Sequence, residues 1–140
     1  MSKRGRRSRI GRIVDRQGIV AMRPLSQSRW TPVSGRMLIK PGDWLRTDVR
    51  GANAATVELV SKYRIIVGPG SLVLLAQPNT VVLHYGEVQI VGSGAASHTV
   101  QLHGPDRSVS IAADETVLYR LNQKNELIRI EDKPVWLARY

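Results

Sequence analysis

The sequence predicts an all-β fold, an antiparallel β-sandwich or roll of about a dozen short strands. Apolar and polar residues alternate over short runs; in residues 55–59 the odd-numbered positions are apolar and the even-numbered ones polar. This period of two is typical of a half-buried strand. Turn-forming residues recur about every eight to twelve positions, as in sandwiches. No segment has the apolar spacing of an amphipathic helix of about three turns.

The composition limits the possible classes of protein. A chain of 140 residues suits one domain with one core. It contains no cysteine, which excludes disulfides, thiolate metal sites and a cysteine nucleophile. No apolar run approaches the roughly 20 residues of a membrane helix. The basic N-terminus is not followed by the apolar segment of a secretory signal, so the chain as given predicts no export signal and a cytoplasmic location.

The net charge of +10 is unevenly placed, because the first twelve residues contain no acid and six cations. We predict a disordered basic arm over residues 1–9, a β domain over residues 10–133 and a C-terminal docking segment over residues 134–140. Without the six cations the body is near +4, which makes the basic character mainly a property of the arm. The six cations are Lys3, Arg4, Arg6, Arg7, Arg9 and Arg12.

The first half of the domain is predicted to consist of short strands around one corner. Strands are expected at residues 10–14, 19–22, 30–33 and 37–39. Proline and glycine at Pro41-Gly42 favour a tight turn, because proline presets the first central φ and glycine tolerates a positive second φ. Asp43 is predicted to cap this turn, and Trp44 to Thr47 to form the strand after it.

The second half continues in the same way. Residues 63–67 and 71–76 are predicted strands, and the continuous apolar character of the second indicates burial on both faces. In residues 80–91, Leu83 is out of phase with Val88, so we predict a bulge or bend at Gly86 between them. Two hairpins follow, pairing residues 100–102 with 109–111 and 116–121 with 127–130. The apolar C-terminal segment supplies candidate protein contacts at Val135, Trp136, Leu137 and Tyr140.

An ordered series of motifs resembles the FecR-like domain, a β-domain of bacterial envelope signalling. The core of the signature is Gly42-Asp43-x-Leu45-x-Thr47, with Pro41 before it and the alternation of residues 55–59 after it. The accompanying motifs cover roughly residues 10–92: Trp30-x-x-Val33, Gly35-x-x-Leu38, Ile65-x-Val67-Gly68-Pro69-Gly70-Ser71 and Leu83-x-x-Gly86-Glu87-Val88.

This resemblance implies a periplasmic or envelope domain that binds protein, relays a receptor's state and regulates a sigma factor through a separate cytoplasmic segment. The chain lacks the membrane helix, an identifiable anti-sigma segment and the Arg-Gly-Thr-x-Phe type motif that often ends the family domain. The expectation taken from the family is therefore the fold and a protein-binding role. Family members that are accessory modules of larger assemblies fit an isolated domain better than a transmembrane relay does.

Residues with catalytic potential are sparse. The histidines are His84, His98 and His103, and a metal site needs three or four ligands with outer support, which favours surface histidines over ligands. The acids are dispersed, and Gly68-Pro69-Gly70-Ser71 lacks the lysine and following helix of a phosphate loop. The three tryptophans are interpreted as core or loop residues. We expect no enzyme, no cofactor and no metal.

Two functions remain open from the sequence. The first is a non-catalytic protein-binding or scaffolding domain of FecR-like type, with a protein partner or a homo-oligomer. The alternative is a nucleic-acid or ribosome-associated protein that binds phosphates through residues 1–12. For the arm itself, a solubilising tail or a segment attracted to anionic lipid is favoured over phosphate binding.

Overall fold

The computed structural model describes residues 8–94 and 98–140. These residues form fourteen strands and one short helix. The strands are β1 (Gly11–Gln17), β2 (Val20–Arg23), β3 (Thr31–Pro32), β4 (Leu38–Ile39), β5 (Asp43–Thr47), β6 (Ala54–Leu59), β7 (Arg64–Val67), β8 (Leu72–Gln77), β9 (Thr80–Tyr85), β10 (Glu87–Val91), β11 (Val100–His103), β12 (Ser108–Ile111), β13 (Thr116–Leu121) and β14 (Leu127–Arg129), and the helix is α1 (Val135–Arg139).

The strands build two sheets of seven, which confirms the all-β sandwich. The first sheet has the order β14-β13-β10-β7-β6-β1-β4, and the second has the order β12-β11-β9-β8-β5-β2-β3. One apolar core lies between them, with Ile13 and Ile65 from the first sheet and Leu45 and Leu75 from the second fully buried. Both predicted hairpins, β11–β12 and β13–β14, are confirmed as antiparallel pairs.

One pair departs from the antiparallel prediction. β9 and β11 run parallel, with Gln101 opposite Thr80. Parallel neighbours need a crossover connection, because a tight turn reverses the chain. Here the crossover passes through β10. After β9 the chain leaves the second sheet, forms β10 in the first sheet and returns to the second sheet as β11. Alternation along the sequence gives the strands but not the sheet to which each belongs.

Gly86 is the point at which the chain passes from the second sheet to the first. It separates β9 from β10 and has a φ of +92°. Leu83 before it and Val88 after it are both fully buried, although their positions are out of phase. The predicted bend is confirmed, and it changes the sheet as well as the face of the strand.

The Pro41-Gly42 turn is also as predicted. Gly42 has a φ of +92°, and an Asp43 carboxylate oxygen accepts a hydrogen bond from the Lys40 amide at 2.8 Å. Leu45 is fully buried, and the Thr47 hydroxyl donates to the Gly68 carbonyl and accepts from the Ser71 amide at 2.9 Å. The side chains of this signature therefore hold the turn and the strand in place.

β8 is buried on one face, which corrects the prediction of burial on both. Val73 and Leu75 are fully buried, whereas Leu72 and Leu74 are half-buried. The second pair faces outward from the second sheet, and no strand or helix of the described residues covers that face. Apolar side chains on this uncovered face distinguish it from an ordinary polar outer face of a sheet.

α1 covers part of the corresponding outer face of the first sheet. Trp136 packs with Ala54 and Leu118 in a small second cluster, against which Leu137 and Tyr140 also pack. The C-terminal segment thus docks onto its own chain. Within residues 8–94 and 98–140, no helix has the length and apolar character needed to cross a membrane.

Candidate binding surface

The outer face of the second sheet combines aromatic, basic and apolar side chains. In register, Arg23 of β2 lies opposite Trp44 of β5, Trp44 opposite Leu74 of β8, and Leu74 opposite Val82 of β9. Trp30, just before β3, is half-buried beside them. We call the surface formed by Arg23, Trp30, Trp44 and Arg46 the Trp–Arg face.

Cations and rings on this face are stacked. The Arg46 guanidinium carbon lies 4.3 Å from the centre of the Trp30 ring. The Arg23 guanidinium carbon lies 5.5 Å from the Trp30 ring and 5.7 Å from the Trp44 ring, and Trp44 contacts the exposed His84 ring at 4.7 Å. Each cation–π contact contributes about 0.5–1 kcal/mol at an exposed site. The contacts therefore order long side chains that are otherwise flexible.

The arginines of this face retain unused hydrogen-bonding capacity. Arg23 donates one long bond, 3.4 Å, to the Gln27 carbonyl, and its buried Nε has no acceptor. Arg46 is exposed and donates no hydrogen bond to any described residue. An ordered guanidinium with free N–H groups is suited to a planar anion such as a carboxylate.

An open groove adjoins the Trp–Arg face and shares Arg46 with it. Its volume is about 620 Å³. Ile19, Val49 and Tyr85 line it with 63%, 76% and 47% of their surfaces exposed. The remaining lining residues are Ala21, Arg46, Thr47, Asp48, Arg50 and Gly70.

Asn53 fixes the two loops that form this groove. Its Oδ1 accepts from the Ile19 amide at 2.7 Å, and its Nδ2 donates to the Asp48 carbonyl at 2.8 Å and to the Arg50 carbonyl at 2.5 Å. A Cβ at Gly18 would overlap Asn53 Oδ1, so glycine is required at that close approach. No local pattern in the sequence predicts this role, because Ile19 and Asn53 are far apart along the chain.

Asp48 and Arg50 form an exposed pair at the groove. The Arg50 amide and side chain bind the Asp48 carboxylate, the amide at 2.8 Å and the Nε at 3.4 Å. These hydrogen bonds, the amide first, lower the pKa of Asp48, and the Asp48 side chain raises the pKa of Arg50. Asp48 thus satisfies part of the Arg50 charge. The charge of Arg46 also lowers the pKa of Asp48, but Arg46 makes no hydrogen bond to it.

The positive charge is concentrated in the first 50 residues, which contain 13 of the 21 cations and three of the 11 acids. The remaining 90 residues carry eight of each sign. Six of the ten excess charges lie in residues 1–12, as predicted, and the excess of four in the body lies in residues 13–50, within the part of the chain that forms β1 to β5. This part supplies the Trp–Arg face.

Four of the predicted phosphate-binding cations, Lys3, Arg4, Arg6 and Arg7, lie outside the described residues. Arg9 is exposed. Arg12 belongs to β1, and its guanidinium lies 3.5 Å from a Glu58 carboxylate oxygen. Arg9 and Arg12 line a shallow depression of about 240 Å³ together with Lys62.

The predicted C-terminal contact residues have different environments. Val135 is 68% exposed, whereas Trp136 is 7% exposed and donates from Nε1 to a Glu87 carboxylate oxygen at 2.7 Å. Leu137 is half-buried, and the Tyr140 hydroxyl accepts from the Thr56 hydroxyl at 2.8 Å. Contact of this segment with another molecule stays a prediction, and Val135 is its most exposed member.

The interpretation of the tryptophans as core or loop residues is right for Trp136, which is buried, and for Trp30, which lies in the loop before β3, and wrong for Trp44, which belongs to β5. Trp30 and Trp44 lie on the outer face of the second sheet and outside the core. For Trp44 the sequence contained a signal, because Trp44 and Arg46 alternate with the buried Leu45 and Thr47. That pattern places both outward residues of β5 on one face.

The histidines do not come together as a metal site. Across the described parts of the chain, no group of three or more His, Asp or Glu side chains is placed to hold a metal ion. His103 Nδ1 pairs with the Ser108 hydroxyl at 2.5 Å, and the His98 carbonyl accepts from Tyr63. Residues 68–71 connect β7 to β8, which confirms a turn between strands and not a phosphate loop.

Comparison with family models, with curated proteins and with solved structures found no match to this chain. Membership of the FecR-like family therefore stays a prediction from the residues quoted above.

Proposed function

We propose that this protein is a non-catalytic binding module, FecR-like in fold, that takes a protein partner on the Trp–Arg face, in envelope-type signalling or as a structural module of a larger assembly. One observation carries the proposal: the two sheets differ in what lies on their outer faces. α1 covers part of the outer face of the first sheet, around Ala54 and Leu118, whereas no described element covers the Trp–Arg face. Tryptophan and arginine are the residues most enriched at the energetic centres of protein interfaces.

The apolar neighbours support the same role. Leu72 and Leu74 are half-buried on the face, and they would lose their remaining exposure beneath a partner. The signature residues of the Pro41-Gly42 turn also support a module without chemistry, because Asp43 and Thr47 are engaged in hydrogen bonds that hold the backbone.

Site-specific photo-cross-linking in the cells that produce the protein tests this proposal. A photoreactive phenylalanine replaces Trp44 on the Trp–Arg face and, as a matched control, Arg129 on the first sheet. We expect a discrete protein adduct from position 44 and none from position 129. Absence of an adduct at position 44, or the same adducts at both positions, would contradict the proposal. The mass of the adduct distinguishes a second copy of this chain from a different protein.

The alternative function, phosphate binding by the arm of a nucleic-acid or ribosome-associated protein, is supported by a separate observation. The cations of the arm continue onto the folded domain, where Arg9, Arg12 and Lys62 line one depression that contains a single carboxylate, Glu58. Each phosphate contact releases a counterion, so binding would weaken steeply with salt.

Binding of RNA and DNA across a salt series, with and without residues 1–9, tests the alternative. A steep salt slope that disappears on truncation supports it. Binding that is independent of salt, or unchanged by truncation, contradicts it.

A further inference from the structure

Exposed apolar side chains are concentrated at the groove beside the Trp–Arg face. Three of the eight large hydrophobic residues exposed in the described chain, Ile19, Val49 and Tyr85, line it. The groove is also a built feature, because Asn53 ties together the loops that carry Ile19 and Val49. An apolar side chain placed among these residues would be removed from water at about 25 cal/mol per Å² of buried apolar area.

A guanidinium stands at the junction of the groove and the Trp–Arg face. Arg46 lines the groove, stacks on Trp30 and has no hydrogen-bond acceptor among the described residues. It belongs to residues 13–50, which have four more cations than acids. The complementary ligand therefore brings a carboxylate or phosphate to Arg46 within a few ångströms of an apolar group.

Two observations favour an acidic polypeptide over a nucleic acid. Arg46 already stacks on Trp30, and Arg23 is near both tryptophans, so the rings have partners before any base arrives. Ile19 and Val49 are aliphatic and match an aliphatic side chain better than a base, which prefers aromatic platforms.

We propose that the groove and Arg46 together bind an extended acidic polypeptide segment, with a carboxylate on Arg46 and an adjacent apolar side chain among Ile19, Val49 and Tyr85. This inference rests on the proposed protein-binding function and names the chemistry of its partner.

Fluorescence anisotropy with the full chain and labelled synthetic peptides tests it. The probes are a peptide of alternating Glu and Leu, one of alternating Lys and Leu, one of alternating Glu and Gly, and a single-stranded oligothymidine. We expect binding of the Glu-Leu peptide alone. Arg46→Gln should weaken that binding about tenfold, the usual effect of losing a charged hydrogen bond, and Val49→Asp should weaken it to a similar degree.

Arg129→Gln is the matched control, since Arg129 is an exposed arginine on an edge strand of the first sheet. The affinity of the Arg129→Gln variant for the Glu-Leu peptide should equal that of the unmodified protein. All three substituted side chains are exposed, so the fold is retained, and circular dichroism verifies this.

Several results would overturn the inference. If the Glu-Gly peptide binds as tightly as the Glu-Leu peptide, the apolar groove contributes nothing to affinity. If the Lys-Leu peptide binds as tightly as the Glu-Leu peptide, Arg46 does not select an acidic ligand. Tighter binding of oligothymidine that depends on Arg46 would assign the surface to nucleic acid. If none of the peptides binds while position 44 still cross-links to a protein, the acidic-segment inference fails and the proposed function stands.

Discussion

Replacement of Gly86 by alanine tests the passage of the chain between the two sheets. With a φ of +92°, an alanine there costs roughly 1–2 kcal/mol for the backbone alone. Its Cβ would overlap the Ser71 hydroxyl and lie 2.5 Å from Ser71 Cα. Ser71 is fully buried and accepts the Glu87 amide at 2.9 Å through that hydroxyl, so its displacement costs about 1–3 kcal/mol more. The total is about 2–5 kcal/mol.

Gly51→Ala is the matched control. Gly51 has a similar φ of +84°, and a Cβ there meets no atom within 4 Å. Only the backbone cost of roughly 1–2 kcal/mol is expected. Urea unfolding followed by circular dichroism gives both free energies by linear extrapolation. Equal losses in the two variants would refute the close approach of Gly86 to Ser71, and with it the proposed geometry of the crossing.

Two further predictions concern stability. Trp136→Phe removes the hydrogen bond to the Glu87 carboxylate and should lower the free energy of unfolding by about 1.5–3 kcal/mol in urea; the loss should shrink in a Glu87→Gln background, and an unchanged loss there would contradict the pairing. Burial, with nearby carboxylates adding to it, raises the pKa of Tyr63 above its ordinary value of 10.0. The folded state thus favours the neutral phenol, and this contribution is complete below pH 10.0 and lost as pH rises through the raised pKa. The free energy of unfolding, measured across alkaline pH, should therefore decline less steeply in Tyr63→Phe than in the unmodified protein. Identical slopes would argue against the raised pKa of Tyr63.

Local rules were sufficient where the structure depends on neighbours in the sequence. Gly42, Asp43 and Gly86 were predicted correctly because turn geometry and a change of alternation phase involve only a few consecutive residues. The hairpins β11–β12 and β13–β14 followed for the same reason. The prediction that β8 is buried on both faces was wrong, because a fully apolar run does not reveal whether anything covers the second face of the strand.

The sequence by itself determined the all-β class, the strand positions, the turns and the absence of cysteine chemistry. Tertiary structure alone decided which strands share a sheet, the parallel pairing of β9 with β11, and which outer face is left uncovered. It also decided that Trp30 lies over Arg46 and that Asn53 holds Ile19. These contacts join residues far apart in the chain, and alternation fixes the side of a strand that a residue occupies without fixing what lies opposite it.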